Sequence, residues 1–123
     1  MSAATYNLFI DQGSDFAVDL VIKESGTAKN LSNYSGRGQL RSSHTSSTIA
    51  AYLKVTVTNA ANGSLKVELP NSTWTDSGGV SRDGSKDVAA GQYVYDVEIF
   101  TNADAVVKRI IQGTVTINPE VTR

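Results

Sequence analysis

The sequence predicts an all-β fold, a sandwich or barrel of short strands, for a chain of 123 residues. Apolar and polar residues alternate along most of the chain, which is the pattern of half-buried strands. Clusters of turn-forming residues separate the alternating runs at short intervals, which favours a sandwich or barrel over β-α-β units. The length fits a single domain that covers residues 1–123.

Five runs alternate in this way: residues 15–23, 49–57, 65–69, 93–99 and 107–117. In the first, Phe16, Val18, Leu20 and Ile22 share one face, which we expect to point into the core. Gly113 interrupts the last run, and a glycine inside a strand pattern predicts a β-bulge there. With shorter strands added, we expect about seven to nine in total.

Turn chemistry marks the intervals between the runs. Glycine, asparagine and aspartate cluster at residues 11–14, 25–27, 59–63 and 101–104. The sequence predicts at most one short helical turn, at Asn71–Trp74, directly after Pro70. Residues 75–88 are polar and rich in glycine, and a connection of this length predicts an irregular loop that is disordered or ordered by another molecule.

Composition excludes several classes of partner and cofactor. The formal net charge of −1 argues against nucleic acid or an anionic membrane as the main partner. The chain has no cysteine, so neither disulfides nor thiolate metal sites are expected. The first residues lack a basic segment followed by an apolar stretch, so we expect no secretory signal. No apolar run reaches the roughly 20 residues of a membrane-spanning helix.

Candidate catalytic groups are few, and the sequence predicts that the protein is not an enzyme. His44, the single histidine, lies in a polar serine-rich stretch with no sharp nucleophile turn, so we expect a solvated loop residue. Asp15 and Asp19 share a strand face at about 13 Å, too far apart for a pair of glycosidase carboxylates. Asp96 and Glu98 also share a face, and we expect them to be solvated.

The long loop carries three further carboxylates, Asp76, Asp83 and Asp87. Their spacing lacks the tight acidic alternation of a calcium-binding loop, so no metal site is predicted. No glycine-rich loop precedes a helix, so no phosphate-binding loop is predicted either. We therefore expect no metal and no cofactor.

Several residues are candidates for contact with a partner. Arg37 and Arg41 share one face of a predicted strand, where we expect cross-strand pairing with Asp96 or Glu98, or an ion pair at an interface. Trp74 is expected either to close one end of the sandwich or to anchor a partner. The complete set of candidate interface residues is Arg37, Arg41, Trp74, Val80, Arg82, Phe100, Pro119 and Val121.

Five segments together resemble a known group of proteins. They are YNLFIDQGSDF at 6–16, LSNYSGRGQLR at 31–41, NGSLKVELP at 62–70, GQYVYDVEI at 91–99 and QGTVTINPEVTR at 112–123. In this order and spacing, the chain resembles small β-sandwich proteins and N-terminal modules of tailed-phage tail, baseplate and fibre proteins. The similarity covers nearly the whole chain, and the loop at 75–88 is longer than in that group.

The resemblance implies an immunoglobulin-like antiparallel β-sandwich with a scaffold role and no catalysis. It implies a phage virion structural or adaptor protein that docks onto tail, baseplate, neck or fibre subunits in repeated symmetric copies. The expected location is the virion, assembled in the host cytoplasm, with no nucleic acid or membrane as partner. Members of the group often continue into a further fibre domain, so we expect this chain to be a stand-alone subunit.

Two other functions stay open at this point. A capsid decoration protein shares the same fold and differs only in location. A carbohydrate- or host-surface-binding module needs exposed aromatic rings to stack on sugars, and Tyr52, Trp74 and Phe100 fall on outward positions.

Overall fold

The computed structural model describes residues 3–121, and these form an all-β domain, as the sequence predicts. The strands follow the chain in the order β1 (Ala4–Thr5), β2 (Leu8–Asp11), β3 (Phe16–Val21), β4 (Lys23–Glu24), β5 (Thr27–Ala28), β6 (Ser35–Arg41), β7 (Ala51–Asn59), β8 (Ser64–Leu69), β9 (Trp74–Thr75), β10 (Ser81–Arg82), β11 (Gly91–Phe100) and β12 (Val107–Asn118). No helix in the described part of the chain is long and apolar enough to cross a membrane.

Eight of these strands form one principal sheet. Its order is β1-β12-β11-β6-β7-β8-β3, and β2 lies beside β1 along the same edge of β12. β1 and β2 run parallel to β12, whereas the other neighbours in this sheet are antiparallel. Two small hairpins, β4-β5 and β9-β10, stand outside the sheet.

The principal sheet curls because β7 changes its partner along its length. Residues 51–53 of β7 pair with β6, and residues 54–59 pair with β8. The strand therefore belongs first to the layer β12-β11-β6 and then to the layer β8-β3. The apolar faces of both layers meet inside this curl.

The core contains the inward residues that the alternation predicts. Tyr95, Val97 and Ile99 on β11 are buried, as are Leu65, Val67 and Leu69 on β8. Phe16, Val18 and Leu20 on β3 are half-buried and pack against this core, and Ile22 is buried. The other fully enclosed large side chains are Ile10, Leu31, Leu40, Val115 and Ile117.

The predicted bulge at Gly113 is wrong. The bulge is at Ile110, because Val97 pairs with Ile111 and the next residue, Glu98, pairs with Arg109. Ile110 and Ile111 are both buried, so the extra residue lets two adjacent apolar side chains enter the core. Gly113 serves another purpose: a Cβ at that position would lie 2.6 Å from the carbonyl oxygen of Tyr6. The glycine therefore allows the segment between β1 and β2 to approach β12.

The helical turn predicted at Asn71–Trp74 is also wrong. Trp74 begins β9, and the main-chain N–H of Asn71 donates to Oδ1 of Asp15 at 2.8 Å. The carbonyl oxygens of Pro70 and Asn71 accept hydrogen bonds from Ser85 and Lys86, so they are committed to a distant segment. The 3-10 turns of the described residues lie elsewhere, at Ala60–Asn62, Ser85–Asp87 and Asn102–Asp104.

Residues 75–88 are ordered by the protein itself, which corrects the prediction of an irregular loop. The segment forms the β9-β10 hairpin and then the turn Ser85–Asp87. The Ser85 side chain is fully buried, and its Oγ donates to the carbonyl oxygen of Ser14 at 2.6 Å. These contacts hold the segment without another molecule, so its order is not evidence for a partner.

Candidate interaction surface

A groove opens where β6 and β7 separate. Residues 35–37 of β6 pair with β11 on one side, and their pairing with β7 begins only at Gly38, opposite Leu53. Residues 54–59 of β7 pair with β8 and have left β6. The groove between these two strand edges has a volume of about 700 Å³. We call it the aromatic groove, after Tyr52, Trp74 and Phe100 in its lining.

The floor of the aromatic groove depends on the contact between Val55 and Gly36. Val55 lies directly over Gly36, so close that a Cβ at position 36 would overlap Cγ1 of the valine. The two strands therefore stay near each other at this point although their ladder has ended. A larger residue at position 36 would push Val55 away and widen the gap.

The β9-β10 hairpin forms one wall of the aromatic groove. The guanidinium carbon of Arg82 lies 3.6 Å from the centre of the Tyr52 ring, a stacked cation–π contact. Nε of Arg82 also pairs with Oδ2 of Asp76 at 2.9 Å. The indole N–H of Trp74 donates to the carbonyl oxygen of Asp83 at 3.2 Å, which ties the half-buried ring to its own hairpin.

Asp76 organises the tip of this hairpin. Its Oδ1 accepts hydrogen bonds from the main-chain N–H groups of Gly78 and Val80, both at 2.9 Å. The bond from Val80 is the largest of the effects that lower the pKa of Asp76, and Arg82 and Gly78 add to it against the cost of desolvation. The charged carboxylate therefore holds both the turn and the arginine that covers Tyr52.

Arg37 and Phe100 form the opposite wall. The guanidinium carbon of Arg37 lies 4.4 Å from the centre of the Phe100 ring. Nε of Arg37 donates to Oε1 of Glu98 at 3.0 Å, and Nη1 donates to Oδ1 of Asp104 at 3.3 Å. The predicted cross-strand pairing of Arg37 with Glu98 is thus confirmed.

The structure brings four of the predicted interface residues to the aromatic groove and leaves the others apart. The four are Arg37, Trp74, Arg82 and Phe100. Val80 lies near the hairpin tip and is 48% exposed, whereas Pro119 and Val121 are exposed beyond the end of β12. These three do not line the groove.

Arg41 belongs to a second, shallower hollow on the outer face of β6, β11 and β12, with a volume of about 450 Å³. Its Nη1 donates to the carbonyl oxygen of Ser46 at 2.9 Å, and its Nη2 donates to Oε1 of Gln39 at 3.1 Å. In the same hollow, Arg109 pairs with Asp96 at 3.2 Å. The expected partners of Arg41, Asp96 and Glu98, are therefore engaged by Arg109 and Arg37.

His44 also lines this hollow but is exposed. The predicted loop carboxylates do not gather around a common centre: within residues 3–121 no group of three or more histidine, aspartate or glutamate side chains is placed to hold a metal ion. Asp76 is used within its own hairpin, whereas Asp83 and Asp87 are exposed.

One exposed aromatic residue was not among the predicted interface residues. Phe9 lies on β2 with 69% of its surface exposed, between the buried residues Leu8 and Ile10. β2 is an edge strand that pairs only with β12 among the described strands. The signal was present in the sequence, because Phe9 occupies the outward phase of an alternation in which Leu8 and Ile10 point inward.

Comparison with known proteins adds no family to this description. No protein-family model matches the sequence, and no curated protein is significantly similar to it.

Proposed function

We propose that this protein is a non-catalytic structural or adaptor subunit of a tailed-phage virion, docking onto neighbouring tail, baseplate, neck or fibre subunits. The observation that carries the docking role is the edge strand β2, which exposes Phe9 and has a free backbone edge. An edge strand with an exposed aromatic residue pairs readily with another chain unless something covers it. The assignment to a phage virion comes from the sequence resemblance.

Within this proposal, the architecture is an immunoglobulin-like sandwich whose two layers are connected through β7. The antiparallel ladders β11-β6 and β3-β8 supply the two layers, and their apolar faces form one core. The side chains that face outward are largely charged residues in ion pairs, such as Arg37 with Glu98 and Arg109 with Asp96. Such a body offers surfaces to partners and a sealed interior, which suits a scaffold.

A carbohydrate-binding module is the second candidate, because Tyr52, Trp74 and Phe100 meet in one groove. The stacking of arginine on two of these rings argues against it. Arg82 covers a face of Tyr52 and Arg37 covers a face of Phe100, so a sugar would have to displace both guanidinium groups to stack there. A capsid decoration protein remains a variant of the first proposal with a different location.

The proposal is tested by locating the protein in particles. An antibody raised against the recombinant chain should label purified virions of the phage that encodes it, and mass spectrometry of those virions should detect its peptides. Cryo-electron microscopy would then assign it to the tail, baseplate, neck, fibre or capsid. Absence from washed, intact particles would overturn the virion role, and specific binding to a glycan array would favour the carbohydrate-binding alternative.

A further inference from the structure

We propose that copies of this chain bind one another head to tail, with β2 of one copy entering the aromatic groove of the next and Phe9 contacting the groove's aromatic rings. This inference deepens the proposed docking role and rests on it, because it names a second copy of the chain as the partner. Two separate parts of the molecule support it, the exposed strand edge and the groove.

The first part is the edge strand. The main-chain N–H groups of Tyr6 and Gln12 donate to the carbonyl oxygens of Gln112 and Asn118 on β12. Since backbone groups alternate in direction along a strand, the N–H and C=O of Phe9 point away from β12, toward the free edge. Phe9 thus presents both a large exposed ring and unpaired backbone groups to an incoming partner.

The second part is the aromatic groove, which lies between two strand edges whose mutual ladder has ended. Its volume of about 700 Å³ lies within the range of pockets that enclose small ligands and single side chains. Its lining is mainly β6, β7 and the β9-β10 hairpin, and it exposes more apolar than polar surface. An extended segment placed here would add to a strand edge while its side chain entered the groove.

Charge makes the two parts complementary. The groove is lined by three cationic side chains, Arg37, Lys54 and Arg82, and by one carboxylate, Asp76. Residues 3–22, which contain β2, carry three aspartates and no lysine or arginine. Asp11, on the same outward face of β2 as Phe9, would therefore approach a positively charged lining.

The geometry favours a head-to-tail contact over a symmetric one. A two-fold pairing of β2 with β2 would involve strands of only four residues and would leave the aromatic groove uncovered. A contact between two different surfaces of the same chain repeats from copy to copy and builds a ring or a filament. Repeated copies of this kind agree with a structural role in a particle.

Analytical ultracentrifugation of the purified chain over a concentration series tests the proposal directly. We expect reversible association in the micromolar range, as is typical of small interfaces, and weaker association at high salt. Phe9→Ser should weaken association at least about tenfold, whereas Phe9→Leu should retain most of it. Because Phe9 is exposed, both variants should keep the melting temperature of the unmodified chain.

Thr56 offers a matched test from the groove side, since it is exposed on β7 and lines the groove. Thr56→Glu should weaken association at least about tenfold by repelling the acidic edge, whereas Thr56→Lys should preserve or strengthen it. When the Phe9→Ser and Thr56→Glu variants are mixed, each supplies one intact surface, so a one-to-one dimer should form that neither gives alone. A symmetric interface cannot produce this result.

Three outcomes would overturn the inference. They are a chain that stays monomeric at the highest soluble concentration, a dimer that is indifferent to Thr56→Glu, and a mixture of the two variants that stays monomeric. None of them decides the virion role, because a monomer detected in washed particles would still dock onto other subunits. Conversely, head-to-tail assembly in solution with no signal in virions would support the interface and reject the virion assignment.

Discussion

The hydroxyl group of Tyr95 donates a hydrogen bond to the main-chain carbonyl oxygen of Tyr6. Tyr95 lies on β11, with 4% of its surface exposed, and Tyr6 lies in the link between β1 and β2. The same carbonyl oxygen approaches Gly113 on β12. Three distant segments thus meet at one point, and this point fixes the edge strands on the sheet.

Removal of the Tyr95 hydroxyl group should therefore destabilise the fold. We expect Tyr95→Phe to lower the free energy of unfolding by about 1–2 kcal/mol, because the Tyr6 carbonyl loses its partner. Urea denaturation followed by tryptophan fluorescence measures this. Tyr93→Phe is the control: its hydroxyl donates to the carbonyl oxygen of Ala89 in an exposed setting, so its loss should cost less.

Tyr95 should also make stability fall at alkaline pH. Burial raises the pKa of Tyr95 above its ordinary value, followed by the charge of Tyr6 as a smaller cause. Above about pH 10 the unfolded chain loses this proton while the folded chain keeps it, so rising pH favours unfolding by up to about 1.4 kcal/mol per unit. Below about pH 10 the contribution is complete. If Tyr95→Phe shows the same slope as the unmodified chain between pH 10 and 11, this explanation is wrong.

Gly113→Ala should be more damaging than Gly91→Ala. Both glycines pair within the β11-β12 ladder at similar positive φ angles, 156° and 148°. A Cβ at Gly91 meets nothing within 4 Å, whereas a Cβ at Gly113 would lie 2.6 Å from the Tyr6 carbonyl oxygen. The Gly113 variant should lose at least about 1 kcal/mol more than the Gly91 variant, measured by denaturant titration. Equal losses would show that the segment between β1 and β2 moves aside without cost.

Ser85→Ala should loosen the segment at 75–88. The buried Oγ of Ser85 donates to the carbonyl oxygen of Ser14, and alanine would leave that oxygen without its donor, at a cost of about 1–3 kcal/mol. Hydrogen exchange by mass spectrometry should show faster exchange across residues 71–88. Ser77→Ala, on an exposed position of the same segment, should change neither quantity. Equal protection in the two variants would contradict this anchor.

Asp76 should titrate below the ordinary value for an aspartate, near pH 4. Since the lowered pKa stabilises the charged form, the hairpin contribution is complete above that value and is lost as pH falls through the folded pKa. Side-chain carboxyl resonances in NMR spectra measure this pKa directly. Asp76→Asn should speed exchange of the Val80 amide and release Arg82 from Tyr52, and Asp83→Asn should do neither. An ordinary pKa for Asp76 would exclude this role.

The inward faces of the strands could be predicted because their signal is local. Tyr95, Val97 and Ile99 alternate with Asp96 and Glu98, and the structure buries the first three. Burial of every second side chain follows from strand geometry alone. The same reasoning placed Leu65, Val67 and Leu69 in the core.

The aromatic groove could be predicted only in part. Arg37, Trp74, Arg82 and Phe100 were recognised as surface candidates, but their meeting depends on the point where β7 leaves β6. Residues 51–57 read as one regular strand, and nothing local marks the change of partner after Leu53. Long-range pairing decides the groove, and a single sequence carries no signal for that.

The segment at 75–88 misled prediction for a chemical reason. Glycine-rich polar stretches usually face solvent, and serine is seldom buried. Ser85 is an exception because Ser14 accepts from its hydroxyl group and Pro70 accepts from its N–H. Those acceptors are far away in the sequence, so composition alone points to disorder.

The parallel pairing of β2 with β12 has a consequence for the order of synthesis. Leu8 pairs with Val115 and Asp11 with Asn118, so more than a hundred residues separate the partners. On the ribosome, β2 emerges among the first strands and cannot find its place until β12 has left the exit tunnel. Its apolar residues Leu8, Phe9 and Ile10 therefore stay uncovered throughout translation, and this nascent stretch is where a chaperone would bind first.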